Sequence, residues 1–150
     1  MRRDEEVIHN SLLDFIRKKY PNVIFRSDGA GLNLTIGLAK KFSQQQSQRA
    51  YPDVFIAHPT GDYSGLMIEI KKDSGEVLTK KLGIRNTKHI QEQHAVLKQL
   101  NDRGYYAMFG CGIDECMMIV DAYMENNTKI LRALKYKYWL STLWLISGRR

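Results

Sequence analysis

The segment Tyr51–Asp73, YPDVFIAHPTGDYSGLMIEIKKD, places two charged side chains, Glu69 and Lys71, inside an otherwise apolar run. Its two β-type runs, 54–57 and 66–72, are separated by a Pro-Thr-Gly-Asp turn, which predicts a hairpin. Successive side chains of a strand point to opposite faces, so Glu69 and Lys71 share the face opposite the strand's leucine and isoleucines. A charge in such a strand is costly unless it is paired or binds a metal, which indicates a functional site.

Asp53 begins the first of these strands, directly after Pro52. An antiparallel hairpin would bring Asp53 beside Glu69 and Lys71. Two close carboxylates repel, and one takes up a proton, whereas Mg²⁺ between them keeps both ionised. A cation there polarises a phosphate oxygen and lowers the pKa of a bound water, while Lys71 orients that water or stabilises phosphate charge. The alternative is a surface strand with an ordinary carboxylate–lysine pair, which the two motifs alone leave open.

These motifs resemble those of the PD-(D/E)XK nuclease superfamily, and their surroundings resemble its VRR-NUC branch, the virus-type replication-repair nuclease domains. Pro52-Asp53 matches the first motif and Glu69-Ile70-Lys71 the second, with 15 residues between Asp53 and Glu69. Three more segments match in order, spanning residues 4–125 with the motifs: 5–16 resembles "E-x-x-l-q-x-x-l-x-x-y-l", 93–104 resembles "Q-x-x-w-l-x-x-L-x-x-x-G", and 106–115 resembles "a-v-v-x-G-x-D-E".

The resemblance implies a role for each residue of the two motifs. Asp53 and Glu69 would bind Mg²⁺ or Mn²⁺, and the backbone carbonyl of Ile70 would complete the metal site. Lys71 would be the catalytic lysine.

The resemblance also implies two catalytic residues outside the motifs. Glu5, on the first helix, would be a metal ligand, directly or through a water molecule. Its neighbour Glu6 is a rival, and we favour Glu5 because it shares a helical face with Ile8 and Leu12. Gln93 would orient the lysine or a metal-bound water.

The predicted fold is a single α/β domain over residues 1–150, with a restriction-endonuclease-like core. It contains a mixed sheet of about four strands flanked by helices, and an extra C-terminal helix with a basic, aromatic tail over 128–150. We expect helices at 4–19, 89–103, 114–124 (capped by Asp114) and 128–146, and strands at 23–26, 54–57, 66–72 and 105–109. Long loops are expected at 27–50, where a helical turn is an alternative, and at 73–88.

The charge distribution favours a polyanionic partner such as DNA. The net charge is +7, and residues 129–150 contain six basic residues and no acidic one. Such an excess suits nucleic acid, although a solubilising tail is equally compatible. The residues expected to hold DNA phosphates are Arg49, Lys72, Lys80, Lys81, Arg85 and Lys88.

The C-terminal segment 128–146 allows three interpretations. It packs on the core, forms a dimer interface, or lines DNA with its lysines. Core packing combined with dimerisation is favoured over binding to a membrane surface. The core-packing residues would be Leu131, Leu134, Tyr138 and Leu145, and the dimer-forming residues Trp139, Leu143 and Trp144.

Other classes of site are disfavoured. His89 and His94 are poorly spaced for a shared zinc ion, and Cys111 and Cys116 lack a second pair. No apolar run is long enough to span a membrane, and the cysteine content suits a reducing cytoplasm.

The leading hypothesis is a metal-dependent DNA endonuclease that selects branched DNA, such as Holliday junctions in DNA repair, and acts as a homodimer. One rival is a restriction-like or nicking nuclease on ordinary duplex. Another is a catalytically idle DNA-binding module. The cytoplasm of a bacterium or phage-infected host, and a phage or prophage role, follow from the resemblance only.

Overall fold

A mixed four-stranded sheet with flanking helices forms the centre of the protein, in a computed structural model that describes residues 2–28 and 34–140, with side chains from 4 to 139. The elements in chain order are α1 (Arg2–Lys19), β1 (Phe25–Ser27), α2 (Ile36–Gln44), β2 (Val54–Ile56), β3 (Leu66–Lys71), α3 (Lys88–Asp102), β4 (Tyr106–Cys111), α4 (Ile113–Met124) and α5 (Thr128–Lys135). A 3₁₀ turn covers Ser74–Glu76, and a π-helical segment, Tyr136–Leu140, follows α5. The predicted α/β fold with a mixed sheet is confirmed.

The strands are ordered β1-β2-β3-β4 across the sheet. β1, β2 and β3 are antiparallel, which confirms the predicted hairpin, and β3 pairs in parallel with β4. A parallel pair needs a crossover connection, and α3 supplies it. All six residues of β3 are buried, so its Glu69 and Lys71 lie inside the protein.

Helix α1 packs against β3 and α4 and covers part of one sheet face. Its apolar stripe buries Leu12 and Ile16 completely. Basic residues occupy its last turn, where they complement the helix dipole, and Pro21 follows its end. The predicted helix therefore agrees with the observed one to within two residues.

Helix α4 approaches β4 closely at Gly110. A Cβ atom at this position would lie 2.6 Å from Cys116 Sγ and 2.8 Å from Ile68 Cγ2. Both distances are shorter than real contacts allow, so any side chain at Gly110 would push α4 away from the sheet. The helix begins after Gly112, whose φ is +87°, and not at the predicted cap Asp114, which lies in the first turn.

The predicted loop 27–50 contains a helix, α2, and the prediction was wrong there. Thr35 caps α2 by accepting a hydrogen bond from Leu38 N at 3.2 Å through its Oγ1. Helix α2 has only nine residues and buries none of its side chains fully, so no long core-facing pattern marks it in the sequence. Gly29 and Gly31 of this loop lie outside the described residues.

The C-terminal segment packs on the core. Leu131, Leu134 and Tyr138 are buried, as predicted, and Trp139 donates from Nε1 to Met108 Sδ at 3.2 Å. Trp139, predicted to form a dimer interface, therefore contacts the core of its own chain. The remaining predicted residues of this segment, Leu143, Trp144 and Leu145, lie outside the described residues. No helix within residues 2–28 and 34–140 is both long and apolar enough to cross a membrane.

Candidate active site

The residues of the two motifs meet at the carboxyl end of β3. The antiparallel register pairs Val54 with Ile68, so the residue before Val54 faces the next part of β3. Asp53 Oδ2 accepts a hydrogen bond from the backbone N–H of Ile70 at 2.8 Å. This bond fixes the Asp53 carboxylate next to Glu69 and gives the predicted juxtaposition of the two acids.

Glu69 is buried, with 4% of its surface exposed, and its carboxyl group interacts with that of Asp53. Burial raises the pKa of Glu69 well above its ordinary value. The charge of Asp53 and a hydrogen bond between the two side chains raise it further, and Lys71 opposes the shift. Without a cation, Glu69 therefore tends to keep its proton.

Lys71 lies on the same face of β3 and is equally buried, at 4% exposure. It forms no salt bridge with any side chain described in the structure. Its charge nevertheless opposes the rise in the pKa values of Glu69 and Glu5. All three groups therefore lie in one electrostatic environment. A buried ammonium group without a bound carboxylate can interact with an incoming anion.

Helix α1 brings Glu5, and not Glu6, to this site. Glu5 is half-buried, whereas Glu6 is exposed. Burial raises the pKa of Glu5, Lys71 opposes this shift, and the nearby charges of Glu76 and Asp53 raise the pKa further. The choice of Glu5 over its neighbour therefore agrees with the geometry.

Gln93 lies buried on α3, and its Oε1 has no hydrogen-bond partner among the described residues. A buried amide oxygen without a partner is rare, because its desolvation is uncompensated. Such an atom suits a water molecule or a lysine ammonium group, the two partners that the sequence analysis considered for it. No hydrogen bond between Gln93 and Lys71 is present in the described part of the chain.

Two acidic residues beside the site were missed by the sequence analysis. Glu76 Oε1 accepts from Lys72 N at 2.8 Å, and its nearby carboxyl group raises the pKa of Glu5. Asp28 raises the pKa of Glu69 through its charge, and its backbone N–H donates to Asp53 O at 3.0 Å. Both acids lie in irregular segments, where no periodic pattern reveals their neighbours.

Two histidines near the site were also missed, although the sequence contained a signal for each. His9 is buried and contacts Ser27 Oγ through Nε2 at 2.5 Å. Burial lowers the pKa of His9, and the nearby charge of Asp53 opposes this shift. Burial and the charge of Lys71 lower the pKa of His89, and the charge of Asp53 opposes this shift. His9 follows Glu5 by four residues and His89 precedes Gln93 by four, so each shares a helical face with a predicted site residue.

The donors present fit a divalent cation. Asp53 and Glu69 offer hard carboxylate oxygens, and their mutual repulsion is the kind that a cation between them relieves. The described residues contain no group of three or more His, Cys, Asp or Glu side chains arranged to hold a metal ion. The fit is therefore to a two-carboxylate site completed by non-side-chain ligands, such as the predicted Ile70 carbonyl.

Comparison with known proteins supports this architecture. No protein family model matches the chain, and no curated protein matches it. A solved structure described as "VRR_NUC domain protein" aligns with a TM-score of 0.57 over 81% of this chain and 88% of that chain. The fold is VRR-NUC-like. The two sequences are 22% identical, so this similarity concerns the fold.

In this VRR-NUC-like fold, the residues predicted to hold DNA phosphates lie on the surface. Lys72 directly follows β3 and is half-buried, and Arg85 donates from Nε to Gly75 O at 2.6 Å, which ties it to its own loop. The other four are exposed: Arg49, Lys80, Lys81 and Lys88.

Of the residues considered for zinc, His94 and both cysteines contribute to packing, whereas His89 lies near the candidate active site. His94 lies against Trp139, with ring centroids 4.3 Å apart, and its Nε2 is buried. Both thiols are free, and burial raises their pKa values, that of Cys111 to about 12. Neutral thiols of this kind are poor metal ligands.

Proposed function

We propose that the protein is a metal-dependent endonuclease that hydrolyses phosphodiester bonds in DNA. The observation that carries this proposal is the 2.8 Å hydrogen bond from Ile70 N to Asp53 Oδ2, which places Asp53 beside Glu69 and Lys71. Repelling carboxylates next to a buried lysine are costly for folding alone, and such groups cluster at functional sites.

Asp53 and Glu69, with the carbonyl of Ile70, would hold Mg²⁺ or Mn²⁺, which supplies Lewis acidity toward the phosphate and the attacking water. Lys71 contributes a fixed positive charge that stabilises negative charge developing on the phosphate oxygens. The buried position of Lys71 strengthens this effect, because less solvent screens it.

Glu5 and Gln93 have supporting roles in the proposal. Glu5, whose pKa is raised, suits a group that accepts or holds a proton of the attacking water. The unpartnered Oε1 of Gln93 suits a group that orients this water or the Lys71 ammonium.

The basic surface around the site suits DNA as substrate. Lys80 and Lys81 lie exposed in the loop between β3 and α3, and neutralisation of phosphates by lysines makes binding steeply salt-dependent. Changing both residues to alanine should reduce the slope of log K against log salt by about two.

Selectivity for branched DNA and a homodimer are the finer parts of this proposal. Their support is the sequence resemblance to VRR-NUC domains, whose stand-alone members resemble Holliday junction resolvases. A dimer would place one active site against each of two strands of a junction.

The test is cleavage of a labelled four-way junction and a linear duplex of matched sequence, each with Mg²⁺, Mn²⁺ or chelator. Wild type should cut the junction symmetrically in the presence of metal, and Glu69→Ala should not cut it. Glu125→Ala, which removes an exposed carboxylate at the end of α4, is the control and should cut normally.

Each other outcome identifies a rival. Equal cutting of the junction and the duplex would retain the nuclease and favour a restriction-like or nicking enzyme. Tight DNA binding with no cutting of either substrate would contradict the enzyme and favour an idle DNA-binding module.

A further inference from the structure

A cavity lies next to the proposed catalytic carboxylates, on the side of β1 and α2. Its volume is about 510 Å³, within the range of ligand pockets. Residues from β1, β2, α2 and the segment before β2 line it, among them Arg26, Asp28, Phe42, Gln45, Tyr51 and Phe55. The backbone N–H of Asp28 donates to Asp53 O at 3.0 Å. A residue that lines the cavity is therefore hydrogen-bonded to one of the proposed metal ligands.

The walls combine aromatic rings with planar polar groups. Tyr51 is 40% exposed at the cavity, and Phe42 and Phe55 are half-buried there. The ring of Phe55 is braced edge-on by Tyr105, with centroids 6.2 Å apart. The amide of Gln45 adds a hydrogen-bond donor and an acceptor. Aromatic faces beside amide groups provide the two interactions that bind an unstacked nucleobase, stacking and edge pairing.

Helix α2, which contributes Phe42 to the cavity lining, carries a positive charge. It exposes Lys40 and Lys41, contains no acidic residue and buries none of its side chains. Ile36, at its first turn, is 91% exposed. An exposed helix that carries lysines and no acidic residue attracts the phosphates of a nucleic acid strand.

We propose that this cavity, the base pocket, receives one unstacked base of the DNA substrate next to the phosphate that is cut. The inference rests on the proposed nuclease function and deepens it, because it makes an unpaired nucleotide part of what the site recognises. A base in continuous duplex is stacked and paired and enters such a pocket only after it is extruded. DNA with an unpaired nucleotide avoids that cost and binds more tightly.

The experiment measures binding in chelator, so that cutting does not interfere, by fluorescence anisotropy. Three labelled duplexes are compared: one with a single unpaired nucleotide, one with an abasic site in place of that nucleotide, and one that is continuous. Wild type should bind the first about tenfold more tightly than the abasic duplex, since stacking on one aromatic side chain accounts for a factor of this order.

Two variants remove the pocket in different ways. Tyr51→Ala removes the exposed aromatic surface, and Ser47→Trp fills the cavity from its exposed rim. Each should reduce the preference for the base over the abasic site to about twofold or less. Tyr136→Ala removes a tyrosine that is 60% exposed on the C-terminal segment and should keep the full preference. Circular dichroism melts establish that each variant folds.

The base pocket is overturned if wild type binds the base-containing and abasic duplexes equally, or if the preference survives in both pocket variants. Cleavage assays with Mg²⁺ on the same duplexes separate the two proposals. Metal-dependent cutting without a base preference overturns the pocket and leaves the nuclease. A base preference that both variants abolish, without any cutting, supports the pocket and contradicts the nuclease.

Discussion

Two glutamates, the buried Glu69 and the largely buried Glu115, lie in very different surroundings. Glu115 accepts at Oε1 from Cys111 N at 3.1 Å and from Tyr138 Oη at 2.6 Å, and its Oε2 lies 2.8 Å from Lys137 Nζ. One backbone donor, one side-chain donor and one lysine thus compensate the burial of this carboxylate. This carboxylate joins the end of β4 to the C-terminal segment.

Glu69 faces another carboxylate instead. Its neighbour Asp53 raises its pKa, and the nearby Lys71 opposes this shift without forming a salt bridge in the described part of the chain. The difference separates a charge that is compensated within the fold from charges that we propose bind a ligand. The two glutamates should therefore respond in opposite ways to mutation.

The largest expected effect is on catalysis and comes from Lys71. Lys71→Met should reduce cleavage by about a thousandfold, because it removes the charge that stabilises the phosphate oxygens. The melting temperature of this variant should not fall, because the substitution removes a buried ammonium group that has no bound carboxylate to compensate its burial. Lys137→Met, which removes the lysine paired with Glu115, is the matched control and should cut at the wild-type rate. Similar cleavage by the two variants would contradict the distinction.

The next effect is on stability and comes from Glu115. Glu115→Gln should lower the free energy of unfolding by about 2 kcal/mol, because it breaks charge-assisted hydrogen bonds in a nearly buried place. Urea denaturation measures this value. Asp102→Asn, which breaks an exposed pair with Lys98, should change it by less than about 0.5 kcal/mol. An equal change in both variants would show that Glu115 does not act as a structural anchor.

A smaller effect compares adjacent acids on α1. Glu5→Gln should slow cleavage by about tenfold, since it removes a proton acceptor near Lys71. Glu6→Gln alters an exposed side chain and should leave the rate unchanged. Initial rates at saturating DNA measure both. A slower Glu6→Gln with a normal Glu5→Gln would reverse the assignment.

The smallest effect is a pH dependence of stability in chelator. Because the folded-state pKa of Glu69 is raised, the folded protein binds this proton more tightly than the unfolded chain. Stability from this group is complete below the ordinary pKa of a glutamate and is lost as pH rises through the folded pKa. We expect the melting temperature to fall by a few degrees over that window, with Mg²⁺ opposing the fall.

Glu69→Gln isolates this contribution. It should flatten the pH dependence in chelator and remove the stabilisation by Mg²⁺. Glu115→Gln should retain both responses, and an unaltered pH profile in Glu69→Gln would assign the effect to another group.

The sequence predicted the parts of the fold that bury a regular apolar pattern. The stripe containing Leu12 and Ile16 marked α1, and the alternation around Glu69 marked β3. Helix α2 was missed because it is short and buries no side chain fully, so packing against the core imposes little pattern on its residues. The cap at Gly112 was missed because Asp114 is the better capping residue by type, while the backbone needs a positive φ two residues earlier.

The candidate site was predicted to the extent that its residues lie on regular elements. The hairpin register brings Asp53 to Glu69, and helical phase distinguishes Glu5 from Glu6. Glu76 and Asp28 approach through irregular segments, whose path depends on contacts that no local pattern encodes. The roles assigned to these residues in catalysis remain predictions.

The central claim is that Asp53 and Glu69 bind a divalent cation, and calorimetric titration of Mn²⁺ into metal-free protein tests it most directly. Wild type and Glu115→Gln should bind Mn²⁺ with the same affinity and release protons on binding, because Glu69 must ionise. Glu69→Gln should show neither the binding nor the proton release. Equal binding by Glu69→Gln and wild type, or no binding by wild type, would contradict the claim.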